Sequence, residues 1–504
     1  MTNRKNGYGV PQLEPASPDI TLIDQNRRLK DVQDEFNRIS EQPDFLAAND
    51  GELFKNTREY RYTHVNREGI NEARNHFQGI QRLRKGKYLV ISGGDVTEPV
   101  SHLFVIRMNT RREKGPMGSN LLFSIIPDAS DEVAKIIPLD KKYWHAGGLS
   151  VLGDILVVPL ENDKKSKIIF LHMLEPENPK LLKCKIDRPD IPKAGTAALA
   201  KLTNGKYICA IWWEEAKKKP GGRIDFYVSR SENIQDGFEE KPGGSSKAVT
   251  WKYDYLDSKK ERDPKYQAIN FIEPADKEAE NGVTRLFMVG TENTAAAAPI
   301  QAGKDLADLF EVLIPNDMFS SENKLPILTK IETRQFFSKN REYYNLDAAG
   351  GIYIDPDEGL YLYAGYHWRV FNTIRFAEFR SQPDPATHVI DNIEKAWIDL
   401  FEEPKFGGAR LSILRKKESS IGDYSKIFVQ GGGFDKKTSS VRYQIPPGYV
   451  YRLYKNKSFV GQSPGKDFID LEGTGKVQEI EDLKAKNKNF DNKISSSRYL
   501  ADET

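Results

Sequence analysis

Cysteine is almost missing from this sequence: Cys184 and Cys209 are the only two in 504 residues. A disulfide scaffold is therefore excluded, and two reduced, half-buried thiols are expected. Long hydrophobic runs are missing as well. Nowhere do about 18 apolar residues follow one another, so no membrane-spanning helix is expected. The stretch Met1 to Val10 is polar where a secretory signal would carry an apolar core. The chain reads as soluble, and as either cytoplasmic or exported by a route without such a signal. Charge of one sign is lacking too: 75 Lys and Arg oppose 73 Asp and Glu, for a net charge of +2. No overall field draws the protein to nucleic acid or to an anionic membrane. Serine-elbow, HExxH and P-loop motifs are all absent.

What is present is repetition. Aligned on an apolar anchor, five segments share a pattern: HFQGIQRL (76–83), HAGGLSVL (145–152), GTAALAKL (195–202), KYQAINFI (265–272) and DAAGGIYI (347–354). The fourth residue of each is small, namely Gly79, Gly148, Ala198, Ala268 and Gly350. A small residue at one fixed point implies close approach of neighbouring copies, as on strands crowded around an axis. Each segment is followed across turn residues by a second apolar strand: YLVIS (88–92), ILVVP (155–159), YICAI (207–211), LFMVG (286–290) and LYLYA (360–364). A third strand follows in each, from LFVIRM (103–108) to TIRFAEF (373–379).

Units too small to hide an apolar face alone bury it on their neighbours, which makes the expected architecture a five-bladed β-propeller over residues 60–382. Ahead of it, residues 1–59 form an extension. Apolar residues at helical intervals predict an amphipathic helix from Leu22 to Ile39. The polar and aromatic residues 41–70 suit a lead-in that donates an outer strand. Residues 383–394, rich in Pro, Asp and Asn, read as a linker.

Two rings of candidate side chains follow from this alignment. The inner strands begin with His76, His145, Gly195, Lys265 and Asp347, placing two histidines and a carboxylate at one mouth of the channel. Such a set suits a transition metal or acid–base work, and equally a hydrated polar rim. Past the second strands lie Asp95, Glu161, Glu214 and Glu292, with Tyr366 and His367. Glycosidases pair two carboxylates roughly 5–9.5 Å apart, and these acids are positioned to supply such a pair or simply to sit in turns. The catalytic candidates are His76, His145, Asp347, Glu161 and Glu214. Trp212, Trp213 and Trp368 are candidate platforms for sugar rings, or core.

The tail carries a different duplication. Phe434-Asp435-Lys436-Lys437-Thr438-Ser439-Ser440-Val441-Arg442-Tyr443 recurs as Phe490-Asp491-Asn492-Lys493-Ile494-Ser495-Ser496-Ser497-Arg498-Tyr499. An earlier pattern precedes each copy: Phe401, Phe406 and Gly408, then Tyr454, Phe459 and Gly461. An aromatic, a bend and a glycine suit a folded hairpin. The oxygens of Asp435, Asp491, Asn492, Ser439 and Ser495 are hard ligands that suit calcium, while cysteine and histidine, which zinc favours, are absent from the repeat.

On these residues the tail, 395–504, resembles the βγ-crystallin family, whose domain is a Greek-key β-sandwich of two motifs. The resemblance implies calcium as cofactor, bound by oxygens drawn from both motifs. Asp491-Asn492-Lys493-Ile494-Ser495-Ser496 matches the family's calcium pattern in full. Lys436 departs from it in the first copy, which implies one weakened or lost site. By the same resemblance Ser440 and Ser496 hold the fold, and Ser439 and Ser495 are the ligands. The expected fold class is all-β: a five-bladed β-propeller followed by a βγ-crystallin-like Greek-key β-sandwich.

Since propellers host binders and enzymes alike, function rests on the site. The preferred expectation is a non-enzymatic recognition protein whose propeller surface meets a carbohydrate or protein ligand, with a calcium-binding tail. The alternative is a polysaccharide-active glycoside hydrolase or polysaccharide lyase with its site in the channel. An exported effector or toxin-like protein is a third.

Overall fold

A computed structural model describes residues 13–41, 43–49, 76–95, 100–108, 131–214, 222–252, 264–280, 282–294, 304–319, 324–336, 344–346, 348–356, 359–366, 373–381, 393, 396–414, 420–426, 428–429 and 432–500. The protein is all-β apart from short helical turns. It divides into two compact units. The first comprises Met1–Glu41, Leu46–Met108 and Asp131–Ser381, and the rest of the chain, chiefly Gln382–Thr504, forms the second. Among the described residues, no helix is long and apolar enough to cross a membrane.

The first unit opens with helix α1 (Val32–Asn37) and strand β1 (Asp44–Asn49). Four antiparallel strands follow: β2 (His76–Arg82), β3 (Tyr88–Asp95), β4 (Val100–Arg107) and β5 (Asp131–Asp140). The next sheet joins β6 (His145–Ala146), β7 (Ser150–Leu152), β8 (Ile155–Glu161), β9 (Ser166–His172) and β10 (Lys180–Arg188). β11 (Thr196–Lys201), β12 (Tyr207–Glu214), β13 (Gly222–Val228) and β14 (Val249–Lys252) make the third. The fourth has β15 (Ala268–Ile272), β16 (Glu278–Glu280), β17 (Val283–Asn293), β18 (Asp305–Pro315) and β19 (Ile327–Phe336). Last come β20 (Ala349–Asp355), β21 (Gly359–Gly365) and β22 (Thr373–Phe379), whose outer neighbour is β1.

This last sheet and the first close on each other in one eight-strand path, β1-β22-β21-β20-β2-β3-β4-β5. The joints are parallel pairings at Gly79–Gly350 inside and Ala48–Asp131 outside. The first unit thus ties its early and late strands together, and residues 44–49 supply the outer strand expected of the lead-in.

Neighbouring sheets bury their faces on one another. Leu103 and Val105 of the first pack with Leu156 and Val158 of the second. Val157 and Phe170 meet Ala197 and Cys209, Phe226 meets Met288 and Phe310, and Phe77 meets Tyr361 and Phe376. β8 is buried at every position, as a continuous apolar run flanked on both faces should be. Each such Leu, Ile or Val contributes about 1.5–3 kcal/mol by leaving water. Cys184 and Cys209 lie fully inside this core, not half-buried as expected, and burial pushes the Cys184 thiol up to about 12.

The small residues of the repeat do mark close approach. A Cβ on Gly79 would lie 2.5 Å from Leu149 N, on Gly148 2.2 Å from Gln267 O, and on Gly350 2.0 Å from Thr291 Oγ1. The first two are backbone atoms, and the third belongs to a short side chain buried in the core. Gln81 donates from Nε2 to Asn270 Oδ1 at 2.6 Å and to the backbone Leu149 O at 3.0 Å, so side chains of the first and fourth sheets meet beside the backbone that leads into β7. Gln81 and Asn270 are both buried.

The helix expected over Leu22–Ile39 is confined to Val32–Asn37, capped by the Asp31 carboxylate on Asp34 N. Upstream the chain is extended, because its backbone groups bond to the sheets and not to one another. Ala16 N donates to Leu181 O, Asp154 N to Ile23 O, Leu29 N to Glu273 O, and Ala275 N back to Leu29 O. Asp24 receives Lys201 Nζ at 2.7 Å and the Tyr207 hydroxyl. This segment runs across the end of the sheets where inner strands turn into second strands.

The second unit has two four-stranded sheets. One is ordered β24 (Gly407–Leu414), β23 (Trp397–Glu403), β28 (Ser440–Gln444) and β31 (Val477–Ile480). The other is ordered β25 (Ser420–Ile421), β32 (Ser496–Leu500), β29 (Val450–Tyr454) and β30 (Phe468–Glu472). A small pair, β26 (Phe428–Val429) and β27 (Gly432–Gly433), and helix α2 (Leu483–Asn487) complete it. Each half of the chain lends its third strand, β25 or β31, to the other half's sheet. Ile398, Leu400, Val441, Tyr451, Leu453 and Phe490 share one core between the sheets.

Candidate functional site

The structure joins two residues that the alignment had put in separate rings. His145 opens β6 and Glu161 closes β8, and the antiparallel register sets them opposite each other. His145 Nδ1 lies 3.2 Å from Glu161 Oε1, an ion-pair contact short of a well-aligned hydrogen bond. Lys193 Nζ reaches the same oxygen at 3.2 Å, and Ala194 N donates to Oε2 at 2.6 Å. Burial pushes the Glu161 carboxyl upward. Against it, the His145 contact, the His145 and Lys193 charges and the Ala194 N–H together bring it down to about 2. Glu161 is thus a fixed anion with both oxygens committed. The ring of Trp144 stands edge-on to His145, centroids 5.6 Å apart.

Other acids at this end also hold the chain entering a sheet. Glu292 Oε2 accepts from Lys265 N at 2.7 Å, and Asp305 Oδ1 from Leu346 N at 3.0 Å. Glu214 ends β12 exposed to solvent. His76 begins β2 opposite Gly94, and Asp95 ends β3. The side chains of His76 and Asp95, and all of Asp347, His367 and Trp368, lie outside the described residues. Trp212 is core rather than a sugar platform: it is buried against Tyr266, with centroids 4.8 Å apart. Trp213 has the guanidinium groups of Arg188 and Arg223 within 5.7 Å of its ring centre, so its faces are occupied. Beneath it the buried Arg188–Asp225 pair, with Thr250 on Asp225, ties β10 to β13.

In the second unit both copies of the repeat build the same corner. Lys405 and Phe406 have φ of 53° and 61°, and Ser458 and Phe459 57° and 61°. Phenylalanine is rarely found in this left-handed region. Hydroxyls hold it there: Phe406 N donates to Ser440 Oγ at 3.0 Å and Phe459 N to Ser496 Oγ at 3.2 Å. Ser440 Oγ in turn donates to Glu403 O at 2.7 Å, and Ser496 Oγ to Asn456 O at 2.6 Å. The repeated Phe of the sequence pattern marked these corners, but as glycine's partner and not as the strained residue itself.

The acidic loops cross over between the halves. Asn492 N donates to Thr438 O and Lys436 N to Ile494 O, both at 2.9 Å. Ser439 Oγ of the first copy lies 2.8 Å from Asp491 Oδ1 and 3.1 Å from Asn492 Oδ1 of the second. In the mirror arrangement Ser495 Oγ and Asp435 Oδ1 are buried without a hydrogen-bond partner among the described residues. These three oxygens are of the hard kind that calcium takes, and they are three of the six to eight it uses. The Asp435 side lacks the second acid or amide, since Lys436 stands there. Among the described residues, no group of three His, Cys, Asp or Glu is placed to hold a metal.

No family model matches the chain, and no curated protein matches it. Solved structures do. A sucrose-6-phosphate hydrolase from Lactobacillus gasseri aligns at 12% identity over 84% of this chain and 90% of its own, with a TM-score of 0.36. A fructofuranosidase from Schwanniomyces occidentalis complexed with fructosylnystose aligns at 9% over 84% and 94%, with a TM-score of 0.37. A Kuenenia stuttgartiensis hydrazine synthase aligns at 9%, with a TM-score of 0.26 over 57% of this chain; the alignment spans 61% of the synthase chain. At such identities and scores no residue role is carried over. The expectation of a non-enzymatic recognition protein is corrected by these matches, which are to enzymes, a hydrolase and a fructofuranosidase among them.

Proposed function

We propose that the first unit is a carbohydrate-active hydrolase built on a five-bladed β-propeller. The three separate sheets and the eight-strand path support the ring. On this reading the path is the first and last blades, joined where the unit's early and late strands meet. The observation that carries the functional reading is the buried Glu161 carboxylate with partly exposed His145 and exposed Lys193 on it, at one end of the ring. The opposite end is crossed by the N-terminal segment, so the cluster's end is the side open to a glycan. Release of reducing sugar from arabinan, levan, sucrose and polygalacturonate by the full chain tests the proposal. Turnover of at least one is expected, and none from any of them would sink it.

The second unit, on our reading, is a βγ-crystallin-type domain that binds one calcium ion through Ser439, Asp491 and Asn492. The crossing of Ser439 to the opposite loop supports this, and Lys436 disfavours the mirror position. Calcium at a hundred times its dissociation constant should stabilise by about 2.7 kcal/mol. Asp491→Ala should abolish the calcium-dependent rise in melting temperature of the full chain, and Asp435→Ala should leave most of it. Equal loss in both variants would contradict the one-site reading.

A further inference from the structure

We propose that Glu161 is a positioning residue: facing Nδ1 of His145, it orients the imidazole so that Nε2 is the atom that takes and returns a proton at this site. The inference rests on the hydrolase reading for its chemistry, but its geometry stands alone. Glu161 cannot swing away, because Ala194 N holds one oxygen and Lys193 Nζ the other. A carboxylate so engaged stays ionised and has no proton to give. His145 is the partly exposed member beside it, with 15% of its side chain accessible against 7% for Glu161. Gly94 gives the ring room: a Cβ there would lie 3.0 Å from His145 Cα and 3.4 Å from its Cδ2. Among the described side chains, the elements packed on β6 carry Glu161 on β8 and His102 on β4, and Lys193 comes from the loop before β11. Glu161 is the residue opposite His145 in register. A slight turn of the ring aligns Nδ1–H on Oε1, the kind of tightening that catalytic contacts undergo when substrate arrives. Free imidazole favours the Nε2–H tautomer, so an Nδ1–H tautomer reports the carboxylate's hold.

The test is the nitrogen chemical-shift pattern of His145 in full-length protein labelled on its seven histidines, assigned by loss of the signal in His145→Gln. Neutral His145 should be the Nδ1–H tautomer in the wild type and in Lys193→Met, and should revert toward Nε2–H in Glu161→Gln. Should Glu161→Gln fail to fold, Glu161→Asp, which withdraws the carboxylate by one methylene, should give the same reversion. An Nε2–H tautomer in the wild type, or a pattern indifferent to position 161, would overturn the proposal. The readout needs no substrate, so failure of every glycan assay would count against the hydrolase reading and not against this one.

Discussion

In the first unit the repeated position is marked by a side chain taken away, at Gly79, Gly148 and Gly350; in the second it is marked by a hydroxyl added, at Ser440 and Ser496. Both devices let backbone come where it otherwise does not. The glycines admit a neighbouring sheet to a distance no Cβ tolerates. The serines hold two phenylalanines in a conformation that aromatic residues avoid, at a cost of order 1–3 kcal/mol each. The contrast shows that repetition in a chain reports the constraint at the joint, and that the constraint differs with the joint. Where sheets meet face to face around an axis, the constraint is steric. Where a hairpin folds over its own strand, it is a hydrogen bond.

The comparison breaks most visibly at Gly148. Gly148→Val would press side-chain carbons on Gln267 O and Thr196, with no flexible group to yield. We expect a loss of about 3 kcal/mol or more, or no folded protein, measured by denaturant unfolding. A loss within 0.5 kcal/mol, roughly the size of ordinary surface substitutions, would deny that the sheets are crowded there.

The next effect is electrostatic and belongs to the first unit alone. Glu161 sits at about 2 in the folded chain against an ordinary value of 4.5, so the unfolded state binds its proton first as pH falls. Its contribution is present above about pH 4.5 and is lost as the pH drops toward 2. The full shift corresponds to at most about 3 kcal/mol. Glu161→Gln should flatten the acid limb of the stability curve. An acid limb as steep as in the wild type would place the linkage elsewhere.

The smallest effect sharpens the second half of the comparison. Ser440→Ala and Ser496→Ala should each cost about 1–2 kcal/mol, because each removes a hydroxyl that bridges two backbone groups. Equal costs in the two variants would confirm that the corners are equivalent. If only one variant is affected, the duplication is not energetic.

Much of this was legible in the sequence because the signals are local. The short apolar runs bounded by turn residues located inner, second and third strands, including β22, and the fourth-residue glycines located the crowding. Two things were not legible. The helical spacing of Leu22, Leu29, Val32, Phe36 and Ile39 suggested one long helix, yet from Leu22 to Leu29 those residues serve an extended segment whose hydrogen bonds are all long-range. Pattern alone does not distinguish a helix face from a strap docked on several sheets. The His145–Glu161 and Gln81–Asn270 contacts depend on register and closure, which bring together residues 16 and 189 positions apart. The choice between sugar platform and core at Trp212 was open for the same reason: its burial is decided by Tyr266, which lies far along the chain.

The most direct test of the account is polysaccharide turnover by the full chain beside His145→Gln, with folding of both followed by thermal unfolding. The account predicts release of reducing ends by the wild type and at least a hundredfold less by the variant, in keeping with the loss of acid–base help, while the melting midpoint is retained. Equal turnover in the two proteins, or none in the wild type, would contradict it.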